Sequence, residues 1–250
     1  MSWTDILASS AATSLAEITT IPLCTIKTNY QTDLKYRSII DTAKDIHKTR
    51  GLSGFYTASF SAVFAQIVAT ASKFTFYSYF KKIRKTKQGD IKNNILNGAA
   101  GGIIASVFSH PFDVIKVHQQ NNIRFLSELR VTGPKLLYRG YSKSLTKNIM
   151  VTSLLFPFYD FYNSKLNNTW LASSCASLTV TTILHPVDYL KVRHISNQKL
   201  YFNFTNLKDN MKYYYRGLHI NLMRVTPHFM ITMAITEKIK EHYTLSNVDK

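Results

Sequence analysis

The sequence predicts an all-α membrane protein built as three like units, each of two long helices joined by a short amphipathic one. Three observations predict it. A proline-centred segment recurs as Ile21-Pro22-Leu23-Cys24-Thr25-Ile26-Lys27, His110-Pro111-Phe112-Asp113-Val114-Ile115-Lys116 and His185-Pro186-Val187-Asp188-Tyr189-Leu190-Lys191. Two further elements follow each copy in the same order. The first is Phe55-Tyr56-Thr57-Ala58, Leu137-Tyr138-Arg139-Gly140 and Tyr214-Tyr215-Arg216-Gly217; the second is Tyr77-Ser78-Tyr79-Phe80-Lys81, Tyr159-Asp160-Phe161-Tyr162-Asn163 and Thr236-Glu237-Lys238-Ile239-Lys240. The interval between them is 22 residues each time (Tyr56 to Ser78, Tyr138 to Asp160, Tyr215 to Glu237), whereas the interval from the proline to the tyrosine varies as 34, 27 and 29. A helix of that fixed length rises about 33 Å, roughly the thickness of a bilayer's hydrocarbon core. A spanning helix cannot shed residues freely; a surface connection can.

The units divide near 1–88, 89–166 and 167–250. Their first helices are expected near 5–34, 90–121 and 168–197, their second helices near 57–84, 140–167 and 217–243, and the connecting pieces near 38–50, 124–131 and 202–211. The upstream halves of the first helices are rich in small residues: Ala8, Ala11, Ala12 and Ala16; Gly98, Gly101, Gly102 and Ala105; Ala172, Ser173, Ala176 and Ser177. Small residues at this spacing let helices approach closely in lipid. Each first helix meets a proline in its interior, where a lost donor and a clash with the preceding turn favour a kink. Three kinks at matching places would draw three helix ends towards one axis. The basic run Lys81, Lys82, Arg84, Lys85 and Lys87 reads as a solvated linker.

Composition sets the rivals. The mean hydropathy of -0.09 is polar for a multi-span protein, and no stretch shows 18 clean apolar residues. Helices that line an aqueous cavity and carry polar groups inward have this character. Lys and Arg number 31 against 14 Asp and Glu, a formal charge of +17. Such an excess fits nucleic acid, anionic lipid or an electropositive cavity for an anionic solute. Cys24 and Cys175 form no disulfide framework and suggest no metal site. The N-terminus, Met1-Ser2-Trp3-Thr4-Asp5, shows no basic region followed by an apolar core and cleavage site, so neither a secretory signal nor a typical Arg-rich transit peptide is expected. Gly-rich phosphate loop, nucleophile elbow and zinc-protease motif are all missing, so an enzyme is not expected and no cofactor is implied. His110 with Asp113, or His185 with Asp188, imitates an acid–base pair, yet both belong to the repeat. The alternative of another class is a basic helical repeat protein that binds nucleic acid, soluble without detergent and steeply salt-dependent.

The three motifs in this order resemble the mitochondrial carrier family over essentially the whole chain. The resemblance implies six tilted transmembrane helices and short matrix helices around a pseudo-three-fold axis, with a central wet cavity. It also implies a monomer in the mitochondrial inner membrane that moves a small anionic substrate and binds cardiolipin, not nucleic acid. The family's cardiolipin positions correspond to the basic residues and helix N-termini at the glycine step. Asp at the second and Lys at the fifth residue after proline share one helix face. By the family order Asp113 would pair with Lys191 and Asp188 with Lys27 in a matrix gate, while Cys24 leaves Lys116 without an acid. Gln31 and Gln120 resemble braces beneath that network; Ile195 does not. In the cytoplasmic gate Asp160 would pair with Lys240 and Glu237 with Lys81, and Ser78 with Asn163 can only hydrogen-bond. Each gate therefore keeps two ionic pairs and loses one, so both closed states are expected to be weakened.

Substrate contacts in that family lie about two turns into the second helices. Counting seven residues on from Ala58, Gly140 and Gly217 gives Ala65, Lys147 and Arg224, and counting back 13 from Ser78, Asp160 and Glu237 gives the same three. Asn148 follows Lys147, and Lys143 and His228 lie four residues away on the same faces. Cations in the middle of spanning helices are costly unless they meet water or a ligand. Lys73 joins this set, and Glu17 is the acid expected to face the cavity. Several positive groups suit a multiply charged solute, and the small Ala65 leaves room for a bulky one. A nucleotide or deoxynucleotide is the favoured substrate; a carboxylate is the alternative, favoured by the Lys147-Asn148 pair. Richness in Lys, Asn, Ile and Tyr points to an AT-rich genome, such as that of a large virus or a parasite.

Overall fold

The computed structural model describes residues 3–84, 91–166, 168–199 and 207–248. All regular structure among them is helical: α1 (Trp3–Thr32), α2 (Ile39–Arg50), α3 (Ser59–Ile83), α4 (Ile91–Gln120), α5 (Phe125–Thr132), α6 (Tyr141–Leu166), α7 (Thr169–Ile195), α8 (Leu207–Tyr214) and α9 (Leu218–Val248), with 3-10 turns at Leu52–Phe55 and Pro134–Tyr138. A long–short–long order of helices repeats three times, as the repeat spacing predicts. Lys85, Lys87 and the start of the third connecting piece lie outside the described residues. Helices α1, α4 and α7 run on through Pro22, Pro111 and Pro186.

Local chemistry sets several helix ends. Ser38 caps α2 by accepting a hydrogen bond from Asp41 N at 3.1 Å, and Asn168 caps α7 by accepting from Trp170 N and Leu171 N. At the far end of α1 the last carbonyls lack intrahelical donors. Arginines from other units supply them. Arg193 donates through Nη1 to Gln31 O and Thr32 O, each at 3.2 Å, and Arg216 donates to Tyr30 O, Asp33 O and Tyr36 O. Arg50 likewise donates to Gln120 O at 2.8 Å, at the end of α4. The cations also oppose the negative ends of these helix dipoles.

The glycine step is fastened to the proline segment of its own unit. His110 Nε2 lies 3.1 Å from Arg139 O, and His185 Nε2 lies 3.1 Å from Arg216 O. Each ring also stacks on the tyrosine of its step, Tyr138 or Tyr215. The first unit has Ile21 in place of histidine. There Thr25 donates to Phe55 O at 2.8 Å from one turn further along. Arg139 binds Glu128, which also sits 2.9 Å from His118. Burial pushes the Glu128 carboxyl up, but Arg139 and His118 outweigh it and hold it below its usual range. In the first unit Tyr36 donates to Asp45 at 2.5 Å, and this bond holds the Asp45 carboxyl low. Arg139 and Arg216 are thus engaged within the protein.

The six long helices form a closed ring. Helix α1 packs on α3, α3 on α4, α4 on α6, α6 on α7, α7 on α9, and α9 back on α1. A close approach lies at Gly101 of α4, where a Cβ would lie 3.0 Å from Tyr77 N of α3. Small residues there let the two backbones meet. The ring is apolar outside and polar within. Leu15, Phe60, Phe64, Phe108, Leu171, Ile183 and Met223 are exposed, while Glu17, Lys27, Gln31, Gln120, Asp188 and Asn221 are buried. Two stretches, Leu52–Ile83 and Leu96–Gln120, are long and apolar enough to cross a membrane by composition. Inward-facing charges dilute the hydropathy of others, as Lys147 does in α6.

The glycine steps differ in a testable way. Gly140 has φ +79 and Gly217 φ +83, the left-handed region, whereas Ala58 has φ -100. A Cβ on Gly140 would also lie 3.0 Å from Ile195 Cγ1. Left-handed backbone costs a non-glycine residue about 1–2 kcal/mol. Gly140→Ala should therefore lower the melting temperature in detergent, read by scanning fluorimetry, by clearly more than Ala58→Gly does; equal shifts would contradict the assignment.

Candidate functional site

All six long helices contribute to the wall of a central cavity of about 410 Å³. Its lining holds six cations (Lys27, Lys73, Lys116, Lys147, Lys191 and Arg224) and three carboxylates (Glu17, Asp113 and Asp188), an excess of three positive charges. Ala62, Ala65 and Ala69 make one apolar flank on α3. The register of the second helices places Ala65, Lys147, Asn148 and Arg224 on this wall, together with Lys73 and Glu17.

The charges are organised by sharing. Lys191 Nζ lies 2.9 Å from Asp113 Oδ2, and Lys27 pairs with Asp188; both contacts link first helices of different units. Asn221 Oδ1 accepts a further bond from Lys27 Nζ at 3.1 Å. Sequence reasoning missed Asn221, although it stands one turn before Arg224 on the same face. The other Asp188 oxygen binds Lys147 of α6. Cys24, where the other units have Asp, is buried on the cavity wall. Lys116 nevertheless has an acid: its Nζ lies 2.5 Å from Glu17 Oε1. Glu17 Oε2 in turn lies 2.8 Å from Arg224 Nη2 and 3.7 Å from His228 Nδ1. The expectation that Lys116 goes without an ionic partner is corrected here. Glu17 stands seven residues before Cys24, and so on nearly the same face of α1.

Burying charges is costly unless each meets an opposite charge and its remaining hydrogen bonds are filled. Two carboxylates, each bridging two cations, accompany four of the six. Asp113 accompanies a fifth. Lys73 is exposed on the cavity and has no carboxylate within ion-pair distance among the described residues. Arg224 Nε also has no hydrogen-bond partner there. Of the two, Lys73 is exposed where an anion can reach it.

Other expected residues fall elsewhere. Lys143 does not line the cavity; one turn nearer the glycine step, its charge faces His194 of α7. His228 sits behind Glu17 instead of on the wall. Gln120 lines the cavity and accepts from Thr28 at 2.8 Å, while Gln31 meets His185 and Arg216 O, both at 3.4 Å. Neither touches the Asp–Lys pairs. Beyond them Thr32 donates to Asn121 at 2.8 Å, and Asn121 donates to Ser196 at 2.8 Å. These three residues each follow their proline by ten, and they tie together the ends of α1, α4 and α7. Towards the opposite end of the helices, Lys81 and Asp160 form no ion pair among the described residues, and Ser78 and Asn163 make no mutual hydrogen bond. The side chains of Glu237 and Lys240 lie outside the described residues.

Comparison with known proteins fits this geometry. A family model described as mitochondrial carrier protein matches three times, over residues 1–88, 87–170 and 163–247. A mitochondrial carrier-like protein of Acanthamoeba polyphaga mimivirus is 42% identical, over 93% of this chain and 94% of its own. Mitochondrial thiamine diphosphate carrier 1 of Arabidopsis thaliana is 28% identical, over 70% of this chain and 62% of its own. Mitochondrial citrate transporter F of Aspergillus niger is 22% identical, over 94% and 88%.

The sharing predicts unequal effects of removing an acid. Asp188→Asn strands two cations, Lys27 and Lys147; Asp113→Asn strands only Lys191, and the Asp113 side chain is 32% exposed. Breaking a buried pair costs about 3–5 kcal/mol, an exposed one about 0.2–1 kcal/mol. Thermal unfolding in detergent should show the larger loss for Asp188→Asn. The reverse order would refute the sharing.

Proposed function

The chain belongs to the mitochondrial carrier protein family, and from that premise we propose that it exchanges a multiply charged anionic metabolite across the mitochondrial inner membrane by alternating access. The observation that carries this reading is the central cavity's excess of three positive charges, walled by all six long helices. In a low-dielectric surround, unneutralised cations gather counter-anions strongly. The apolar exterior and charged interior of the ring support six tilted spans, since lipid tolerates the first and excludes the second.

In this reading Lys147, Arg224 and Lys73 receive the anion, Asn148 orients it, and Ala65 leaves room for its bulk. Three ionic links and the Thr32–Asn121–Ser196 chain close the matrix side in this reading. Binding shifts the balance between the two closed forms only through contacts stronger in the intermediate state. The N-termini of α6 and α9 at Gly140 and Gly217 offer backbone donors to a lipid phosphate such as cardiolipin's. Arg139 and Arg216, being engaged within the protein, do not. The carrier works as a monomer and needs no cofactor.

A nucleotide or deoxynucleotide is the substrate we favour: its phosphates match the cluster of cations. The named diphosphate carrier among the relatives is in keeping with a phosphate-bearing solute. A carboxylate is the second reading, favoured by the adjacent Lys147 and Asn148 on the wall and by the citrate transporter among the relatives.

Counter-exchange in proteoliposomes tests this. Vesicles loaded with a labelled nucleotide should lose it to external nucleoside di- and triphosphates, more slowly to tricarboxylates, and not to neutral solutes. Losing a charge-assisted hydrogen bond costs about 1.5–3 kcal/mol, so Lys147→Gln or Arg224→Gln should slow exchange about tenfold or more. Wild-type rates in both variants, or exchange of no anion at all, would overturn the proposal.

A further inference from the structure

We propose that Glu17 is the third acid of the matrix gate, filling the role that Cys24 cannot, and that its bond to Arg224 couples this gate to the substrate. The proposal rests on the transporter reading and goes beyond it by assigning one carboxylate two partners in the transport cycle.

Two proline segments place an acid two residues after the proline, and the first places a thiol there. A thiol is a weak hydrogen-bonding group and, as such, a poor match for the ammonium of Lys116. The chain does not leave that ammonium alone. Glu17 is 2% exposed, and one of its oxygens meets Lys116. Seven residues of helix are two turns, so this acid lies about 10 Å along the axis from the usual position, on the cavity side. It is displaced towards the second helices, at the level of Arg224.

That displacement has a consequence for coupling. Glu17 gives Oε1 to the gate cation Lys116 and Oε2 to the substrate cation Arg224. Asp188 does the same with Lys27 and Lys147. The third pair, Asp113 with Lys191, is unshared, because the corresponding position on the second helix is Ala65. Two of the three gate acids therefore hold the residues an anionic substrate must bind. They occupy the cations that the substrate's charge would meet. An arriving anion displaces Glu17 from Arg224 and Asp188 from Lys147, and each acid is left with its gate lysine alone. Anion binding and gate rearrangement are one exchange of partners, and Glu17 competes directly with the substrate for Arg224.

A rescue experiment tests this with four forms of the full chain: wild type, Glu17→Gln, Cys24→Asp and the double variant. Melting temperature in detergent is read without substrate, and counter-exchange is read in liposomes with ATP and with citrate as probes. Glu17→Gln should melt well below wild type and exchange about tenfold more slowly. The double variant should recover most of the melting temperature, because Asp at position 24 meets Lys116 directly. Its apparent KM for the exchanged anion should fall below that of wild type, because Arg224 is no longer held. A single variant that cannot be purified, beside a double variant that can, supports the proposal equally. A double variant no better than Glu17→Gln, or a Glu17→Gln protein that melts and exchanges like wild type, overturns it. If neither probe is exchanged by wild type yet the melting temperature is rescued, the gate assignment stands and the choice of substrate fails.

Discussion

The structure depends on a shortage of negative charge at its centre. Six cations face one cavity and only three carboxylates accompany them. Inside a low-dielectric ring of helices this imbalance would be prohibitive if each cation needed its own acid. Bridging solves part of it: Asp188 and Glu17 each serve two cations drawn from different helices. The remaining positive charge is what the proposed anionic cargo would meet.

Three-fold likeness makes the sharing geometrically possible, and the first unit is where it lapses. The second and third units have histidine before proline, aspartate after it and glycine at the step; the first has Ile21, Cys24 and Ala58. Each lapse has its own local remedy. Thr25 replaces the histidine's hold on the step, Glu17 replaces the aspartate, and Ala58 takes a negative φ that needs no glycine. These remedies use different atoms at different heights, so the axis is only approximately symmetric. The asymmetry falls on the unit whose second helix carries Ala65 in place of a cation.

Much of this was legible in the sequence. The repeat spacing indicated the thrice-repeated long–short–long order, and the constant 22-residue interval gave one register for Ala65, Lys147 and Arg224. The pairing of Asp113 with Lys191 and of Asp188 with Lys27 was implied by the resemblance to the carrier family, and the structure holds both pairs. What escaped was contact between elements whose spacing carries no repeat signal. Glu17 was placed on the cavity but not joined to Lys116, since no other unit uses that position. Lys143 and His228 were placed by helical periodicity alone, which gives a face but not the depth at which a neighbouring helix closes over it. The caps from Arg50, Arg193 and Arg216 depend on tertiary packing and have no local signature. The composition suggested an AT-rich source, and a mimivirus protein is indeed similar over nearly the whole chain.

The ends of α1, α4 and α7 are tied together, and in the proposed cycle they must part for transport. Thr32 and Asn121 stand in direct hydrogen-bond contact at that meeting point. With Cys24 and Cys175 changed to serine, Thr32→Cys and Asn121→Cys should form a disulfide under mild oxidant, arresting exchange until reductant is added. No cross-link, or a cross-linked carrier that exchanges at full rate, would contradict the account.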